Sequence, residues 1–427
     1  SMDDFTADPN DAKRCFFYDE ESKKLYLKTG KKDSPSAHKV LFSQFAEGFQ
    51  FDGASYVVVK DFEIRNYGDA GIALDGNSDN NIIIGNHIHH APQGIGIHSE
   101  WADDNHICFN HIWDEGLGDF TWRAVKASNY PRGGINCSGG RGNSMVGNDI
   151  HGWFDCITAG AWGRLEECHI NRDVEIMFND LYNAGDDALE PEGCHINLRI
   201  HGNRIRNVLT AISLAPIGTG PAYITYNDCT YYLLLYKMNV GGCWSGGYCY
   251  SYHNTGFPIV PDKGTGLSFS YGIPLKNKIF RNNIMATGQR LVRSGPAGNS
   301  ADYTCYFLTD DKDTVPFEWE RQIYQTLAEF RQATGNESHG MVADPRIVAL
   351  PKRDGIVFDD YGLFHLDQNP PLENVDIGDL RLQAGSPCID TGLLIRGINE
   401  NFSGKAPDIG TYERGVEMKY GTAHFQK

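Results

Sequence analysis

The chain has 427 residues, enough for one large domain or two, and with 41% hydrophobic and 22% charged residues it has the composition of a globular protein. Its net charge of −17 opposes binding to a polyanion, which excludes nucleic acid as a partner. The sequence contains no run of about 18 apolar residues, so no membrane span is predicted. The 11 cysteines include no CxxC pair, which argues against a zinc knuckle.

A repeated unit starts near residue 50. Each copy has a short apolar strand, an asparagine, a second apolar position, a polar turn and a third strand; the copies begin at Ser55, Asn81, Asn105, Asn143, Asp173, Asn197 and Asn277. The asparagines at 86, 110, 148, 179 and 203 are 24, 38, 31 and 24 residues apart. The short spacing is typical of one coil of a β-solenoid, and the longer ones indicate inserted loops. Asparagine suits such corners because it tolerates a left-handed backbone and can form hydrogen bonds with other asparagines stacked on it. The alternative, an antiparallel β-sandwich, does not explain one motif recurring in one orientation.

The repeat weakens after about residue 215. Residues 316–334 carry Trp319, Ile323, Leu327 and Phe330 at helical spacing, which predicts an amphipathic helix packed on the solenoid. We therefore predict an all-β protein, a parallel β-helix with a short C-terminal α-helix and a C-terminal cap. The predicted divisions are N-terminal strands or a cap at 1–50, the β-helix at 51–315, and the helix with final coils and cap at 316–427.

The third strands align on one apolar column, whose members are Ile72, Ile95, Phe120, Ile157, Leu189 and Ile212. Residues one and three places later point to the opposite face of a strand, so both sets are expected to face solvent. That face carries Asp75, His98 and Arg123 on consecutive coils, and Glu190 and Glu192 two residues apart on one strand. Two places before the column, Asp155 and Asp187 fall on adjacent coils.

The segment 183–193, NAGDDALEPEG, holds Asp186, Asp187, Glu190 and Glu192, where sister coils carry small neutral residues. A structural coil needs no such acids, so they indicate a site. Asp186, after Gly185, is predicted to be a turn residue. Paired carboxylates are the minimum for glycoside hydrolysis, about 6.5–9.5 Å apart for inversion and about 5–5.5 Å for retention. The predicted catalytic residues are therefore Asp187, Glu190, Glu192 and Asp155, and their crowding should separate an acid from a base by pKa.

Neighbouring polar and aromatic residues are predicted to bind the substrate: His98, Arg123, Lys126, Trp122, Trp162 and Asp75. The tryptophan rings offer platforms for sugar rings, and the basic side chains suit a polar or anionic ligand. This chemistry requires no cofactor, and no metal ligand is assigned. The alternative is that the clustered acids hold a calcium ion, since hard cations bind carboxylates.

The recurring GN-x-I corners resemble those of right-handed parallel β-helix proteins, notably bacterial carbohydrate-active ones. LRLQAGSPCIDTG (380–392) and APDIGTYE (406–413) resemble a C-terminal pattern of secreted members, and the resemblance covers most of residues 50–415. It implies a secreted, periplasmic or cell-surface protein that acts on a polysaccharide or oligosaccharide. Asp186-Asp187 is similar to the Asp-Asp motif of polygalacturonase-like hydrolases, although no matching Gly-His-Gly or Arg-x-Lys element follows.

The leading hypothesis is an enzyme, a glycoside hydrolase that uses the paired carboxylates. The first alternative is a polysaccharide lyase, in which Lys126, Arg123 or His98 removes the proton next to a uronate carboxylate. The second alternative is a non-catalytic glycan-binding solenoid whose acids hold calcium.

Overall fold

The computed structural model describes residues 15–29, 34–114, 125–126, 133–160, 170–215, 217–238, 246–258, 265–269, 276–287, 290–293, 298–308, 316–319, 322–352 and 378–422. The chain divides into two compact units, Ser1–Gln44 and Phe45–Lys427. The first unit contains an antiparallel hairpin of two strands and the short 3-10 helix Pro35–Ala37.

Strands make up most of the described structure. In chain order they are β1 Cys15–Asp19, β2 Lys24–Lys28, β3 Glu47–Asp52, β4 Val58–Lys60, β5 Glu63–Arg65, β6 Ala70–Asp75, β7 Ile82–Ile84, β8 His87–His89, β9 Gln93–Ile97, β10 His106–Cys108, β11 His111–Trp113, β12 Gly133–Cys137, β13 Ser144–Val146, β14 Asp149–His151, β15 Asp155–Thr158, β16 Asn171–Arg172, β17 Glu175–Met177, β18 Asp180–Glu190, β19 His195–Ile196, β20 Leu198–His201, β21 Arg204–Ser213, β22 Ala222–Thr225, β23 Asp228–Met238, β24 Cys249–Tyr252, β25 Thr255–Pro258, β26 Thr265–Phe269, β27 Lys278–Arg281, β28 Ile284–Thr287, β29 Arg290–Arg293, β30 Ser300–Asp302, β31 Cys305–Leu308, β32 Phe317–Trp319, β33 Gln322–Tyr324, β34 Met341–Val342, β35 Ile347–Ala349 and β36 Asp379–Leu382.

Three parallel sheets contain most strands of the second unit, and the pairs β16–β19 and β35–β36 and the antiparallel strand β33 lie outside them. Sheet A contains β4, β7, β10, β13, β17, β20, β22, β24, β27 and β30. Sheet B contains β5, β8, β11, β14, β18, β21, β23, β25, β28, β31 and β34. Sheet C contains β3, β6, β9, β12, β15, β18, β21, β23, β26, β29 and β32. The long strands β18, β21 and β23 contribute to both B and C. Each strand pairs with its counterpart one coil away, which confirms the predicted parallel β-helix.

A ladder of asparagines fixes one corner of the coils. Each side-chain Nδ2 donates to the next Oδ1 at 2.9–3.1 Å, through Asn86, Asn110, Asn148, Asn179, Asn203, Asn227, Asn254 and Asn283. The backbone N–H of each donates to the same oxygen as its side chain, so every amide is satisfied although the residues are buried. The predicted stacking of Asn86 to Asn203 is therefore confirmed, and it continues over three further coils.

The predicted helix over 316–334 is wrong in its first half. Residues 317–319 and 322–324 form the antiparallel strands β32 and β33, and helix α1 spans only Leu327–Thr334. Phe317 and Trp319 alternate into the core against Phe330 of the helix, so burial in this position overrides the helical spacing. Thr326 caps the helix by accepting a hydrogen bond from the Glu329 N–H.

The C-terminal residues 378–422 pack along the side of the coils. The Thr411 hydroxyl donates to the carbonyl of Asn227, the Gly410 N–H donates to that of Asn282, and the Gly421 N–H donates to that of Phe178. This described part of the tail follows the corner over several coils rather than lying over one end. Among the described residues, no helix is long and apolar enough to cross a membrane.

Candidate functional site

The site forms where β15, β18, β21 and β23 lie side by side in sheet C. Ile157, Leu189, Ile212 and Tyr236 stack in register as a core column. The predicted column is confirmed at these coils, but Phe120 was the wrong member of the coil before them. Ile135 pairs with both Ile95 and Ile157, so the number of residues between β11 and β12 is larger than the alignment assumed.

A bulge in β18 brings three carboxylates together. The register between β18 and β21 shifts between Ala184 and Asp187, so one extra residue is accommodated there. The Asp187 N–H donates to Oδ1 of Asp155 on the previous coil at 2.9 Å. One carboxylate oxygen from each of Asp155, Asp187 and Glu190 lies within 4.8 Å of the others, a spacing that a single hard cation could span.

Lys237 joins this group from β23. Its Nζ lies 2.6 Å from Oδ2 of Asp187 and 3.4 Å from Oε1 of Glu192. The second oxygen of Asp187, Oδ1, is buried and has no hydrogen-bond partner within the described part of the chain. Glu192 also accepts a hydrogen bond from the Ser213 hydroxyl. Lys237 therefore neutralises part of the charge and leaves one carboxylate oxygen of Asp187 unsatisfied.

Burial and mutual repulsion raise the pKa values of the acids. Burial first, then the charge of Asp186, raise the pKa of Asp187 to about 7 despite Lys237. Burial and the neighbouring Glu192 raise the pKa of Glu190 to about 7. Burial raises the pKa of Glu192 to about 7 and that of Asp155 well above its usual range. The expected crowding is present, but it raises all four carboxyls instead of separating one acid from one base.

A second lysine contacts the same strand. Nζ of Lys126 lies 2.6 Å from Oδ2 of Asp186 and 5.7 Å from the centre of the Phe154 ring. Burial alone would lower the pKa of Lys126, but the charge and hydrogen bond of Asp186 outweigh it and raise the pKa. Asp186 is buried inside β18, so its prediction as a turn residue was wrong. The bulge supplies the irregular backbone that the sequence suggested was a turn.

The expectation that the residues one and three places after the apolar column face solvent was wrong for Glu192, whereas Glu190, Asp75 and His98 keep exposed surface. Asp187 has no exposed surface and Glu192 is 2% exposed, whereas Glu190 and Asp155 are half-buried. β18 ends at Glu190, so Glu192 leaves the strand and turns inward to Ser213 and Lys237. Only Asp155 and Glu190 of the four predicted catalytic residues present surface to solvent.

The predicted substrate-binding residues are only partly brought together. Nδ1 of His98 lies 3.3 Å from Oδ1 of Asp75, and Nε2 of His98 lies 3.1 Å from Oε1 of Gln93. Asp75 ends β6 and His98 follows β9. Strand β12 separates β9 from β15, so the role of this pair in binding stays a prediction. Arg123, Trp122 and Trp162 lie outside the described residues.

Lys237 was missed in the sequence. It occupies the position after Tyr236, the same place as Glu190 after Leu189, one coil beyond the last aligned copy. Extending the column into YYLLLYKM (231–238) would have found it, although that coil lacks the short GN-x-I corner that guided the alignment.

Neither the family models nor the curated proteins contain a match to the chain. Among solved structures, the chain is similar to a crystal structure of pectate lyase Pel9A, with a TM-score of 0.40 and 16% sequence identity over 86% of this chain and 74% of that one. The similarity concerns the fold. The parallel coils themselves confirm the fold that the resemblance to carbohydrate-active β-helix proteins implied.

Proposed function

We propose that this chain is a polysaccharide lyase that cleaves a uronate-containing polysaccharide by β-elimination, with a hard divalent cation held by Asp155, Asp187 and Glu190. The observation that carries the proposal is the group of three carboxylate oxygens within 4.8 Å of one another, with Nζ of Lys237 from β23 lying 2.6 Å from Asp187. This is the first alternative of the sequence analysis, with Lys237 in place of the bases named there.

The three carboxylates fit a hard cation. Calcium lies about 2.3–2.6 Å from its oxygen ligands, so two ligands of one ion are at most roughly 5 Å apart. The buried Oδ1 of Asp187, which has no hydrogen-bond partner among the described residues, offers one such ligand. A buried acceptor left unpaired costs about 1–3 kcal/mol, and a cation would remove that cost. The raised pKa values of Asp187 and Glu190 have the same origin, an excess of buried negative charge.

Lys237 is the residue we assign as the base. A bound cation supplies positive charge that acidifies the proton next to a uronate carboxylate. In the absence of the cation, the negative charges of Asp187 and Glu192 outweigh the effect of burial and raise the pKa of Lys237. The amine is then protonated. A cation bound to Asp187 removes the largest of these opposing charges, so the balance moves toward burial, which favours the neutral amine. The side chain of Lys237 is 30% exposed, so Nζ can approach a substrate.

The elimination needs one proton transfer on the enzyme. The neutral Nζ of Lys237 takes the proton from the carbon next to the uronate carboxylate. The electron pair left on that carbon forms a double bond to the neighbouring carbon, whose bond to the glycosidic oxygen breaks. The leaving oxygen takes a proton from solvent. One product then carries an unsaturated uronate, and the other a new sugar hydroxyl.

Glycoside hydrolysis is the second candidate. The observation in its favour is Glu190, a half-buried carboxyl whose pKa, raised by burial to about 7, suits a general acid. The observation against it is the burial of Asp187 and Glu192, which cannot reach a glycosidic bond. An inverting pair also needs about 6.5–9.5 Å between its carboxyls to hold a water, more than the spacing within the acidic group.

The experiment is a screen of uronate polysaccharides, followed by ultraviolet absorbance of the conjugated unsaturated uronate, with calcium or with a chelator. We expect absorbing product in calcium, none in the chelator, and a loss of at least about 100-fold in Lys237→Met, since general bases contribute about 10²–10⁴-fold. Lys60→Met, which removes an exposed lysine on β4, is the control and should keep full activity. New reducing ends without absorbance would establish hydrolysis, and calcium-dependent binding without turnover would establish a glycan-binding protein.

A further inference from the structure

A second cluster of ligand-type side chains lies on sheet B. β11 and β14 are adjacent parallel strands, and their register pairs His111 with Asp149 and Trp113 with His151. Asp149 and His151 are two residues apart, so their side chains leave the same face of β14. His111 comes from the neighbouring coil on that face. The three side chains are half-buried, which leaves them accessible to an ion from solvent.

We propose that His111, His151 and Asp149 form a binding site for Zn²⁺, separate from the acidic group on sheet C. Nε2 of His111 and Nε2 of His151 lie 3.1 Å apart, and Oδ1 of Asp149 lies 4.0 Å from Nε2 of His111. All three ligand atoms fall within 4.8 Å of one another. Two nitrogens at about 2.0–2.1 Å from a tetrahedral zinc ion are roughly 3.3 Å apart, close to the spacing of the two imidazoles.

One ligand atom is unsatisfied without an ion. Oδ1 of Asp149 is buried and has no hydrogen-bond partner within the described ranges. Burial, then the charge of Asp180, raises the pKa of Asp149 to about 6. The nearby Arg206 does not meet this need, because its guanidinium contacts Asp180 at 2.5 Å. The Asp149 carboxyl has a hydrogen bond with Tyr182, and a cation between the two imidazoles would supply a partner for its Oδ1.

Aromatic neighbours hold the imidazoles in place. The His111 ring stacks on Trp113 with 4.2 Å between ring centres, and the His151 ring stacks on Tyr182 at 4.5 Å. Burial lowers the pKa of both histidines to about 4, so both rings are neutral near neutral pH and can accept a metal ion. A preformed pair of this kind loses little side-chain freedom when the ion binds.

The ligand chemistry selects the ion. Two imidazole nitrogens and one carboxylate oxygen suit zinc, whereas calcium prefers oxygen ligands alone. Three protein ligands leave one position of a tetrahedral ion for water or a small ligand. The acidic group on sheet C, with oxygen ligands only, has the opposite preference.

The test is a zinc titration of the whole chain, free of any polyhistidine tag and in excess calcium to occupy the oxygen-only group. We expect one equivalent of zinc to bind, and Co²⁺ at the same site to give the visible absorption of a tetrahedral nitrogen and oxygen environment. His111→Gln and His151→Gln should each weaken zinc binding more than about tenfold, since even residues that only orient a ligand change metal affinity by about 10–100-fold.

His87→Gln is the matched control, because this histidine is exposed, lies edge-on to His111 and is not one of the three ligands. It should bind zinc as the unchanged chain does. Circular dichroism and the thermal midpoint establish that each variant is folded. Zinc binding that survives in both folded glutamine variants, or no binding in the unchanged chain, would overturn the proposal and leave His111 and His151 as a hydrogen-bonded pair. Neither outcome bears on the proposed lyase activity.

Discussion

Replacing Asp187 by asparagine should stabilise the fold at alkaline pH while removing a ligand of the proposed cation. Asp187 has no exposed surface, and its pKa is raised from 3.8 to about 7, chiefly by burial and then by Asp186. Between these two values the folded chain holds a proton that the unfolded chain has released. The stability of the wild type therefore falls as pH rises through this window and levels off above pH 7.

The magnitude follows from that window. One retained proton changes the free energy of unfolding by about 1.4 kcal/mol for each pH unit, or about 3 kcal/mol between pH 5 and the folded pKa of about 7. Asparagine has nearly the same shape and no charge to bury, so the variant lacks this loss. After the substitution, Nζ of Lys237 still has Oε1 of Glu192 at 3.4 Å as an ion-pair partner. The Lys237 side chain is also 30% exposed, so it stays partly solvated.

The assay is urea unfolding followed by tryptophan fluorescence, in a chelator, at pH 5 and pH 8. We expect the stability of Asp187→Asn relative to the wild type to be greater at pH 8 than at pH 5 by about 2–3 kcal/mol, after allowance for the weakened ion pair, and to appear as a larger difference between the two urea midpoints. Added calcium should then stabilise the wild type and leave the variant unchanged. A variant that is less stable than the wild type at pH 8, or a difference that does not depend on pH, would refute the reasoning.

Further predictions concern the ladder, the helix and the second lysine. Asn203→Ala should destabilise the fold by about 3 kcal/mol or more in urea unfolding, because the two Asn179 donors and the Ile176 carbonyl lose their buried hydrogen-bond partner. The control Asn401→Ala, at an exposed position, should have no effect. Thr326→Ala should cost about 1 kcal/mol through loss of the helix cap, and Gln325→Ala, at an exposed position beside it, should not. Lys126→Met should lower catalytic activity less than Lys237→Met, because Lys126 contacts Asp186 and not the three-carboxylate group; equal losses would contradict this ranking.

Much of the fold was predictable because the same local pattern recurs in each coil. The asparagine corners and the apolar column from Ile157 to Ile212 could be read from spacing alone, since a stacked coil repeats its contacts. The helix was overestimated because Trp319 is placed by the core of the last coils and not by local periodicity. Tertiary burial of this kind leaves no periodic signal in a single segment.

The site was predictable in part for the same reason. Column alignment placed Asp155 beside Asp187, and the structure brings the two into direct contact. It could not show the burial of Asp187, which depends on a bulge of one residue that alignment by strand period does not detect. Lys237 lay one coil beyond the aligned copies, on a strand whose sequence reads as a continuous apolar run.

The mass of the newly formed chain ends tests the central claim most directly. The chain is incubated with each uronate polysaccharide and calcium in water enriched in ¹⁸O. The masses of the oligosaccharide products are then measured by mass spectrometry. The account predicts products that carry an unsaturated uronate at one end, each lighter by one water molecule than a hydrolysis product, with no ¹⁸O added by the cleavage. Saturated products that have gained ¹⁸O at the new reducing end would contradict it and make the chain a glycoside hydrolase.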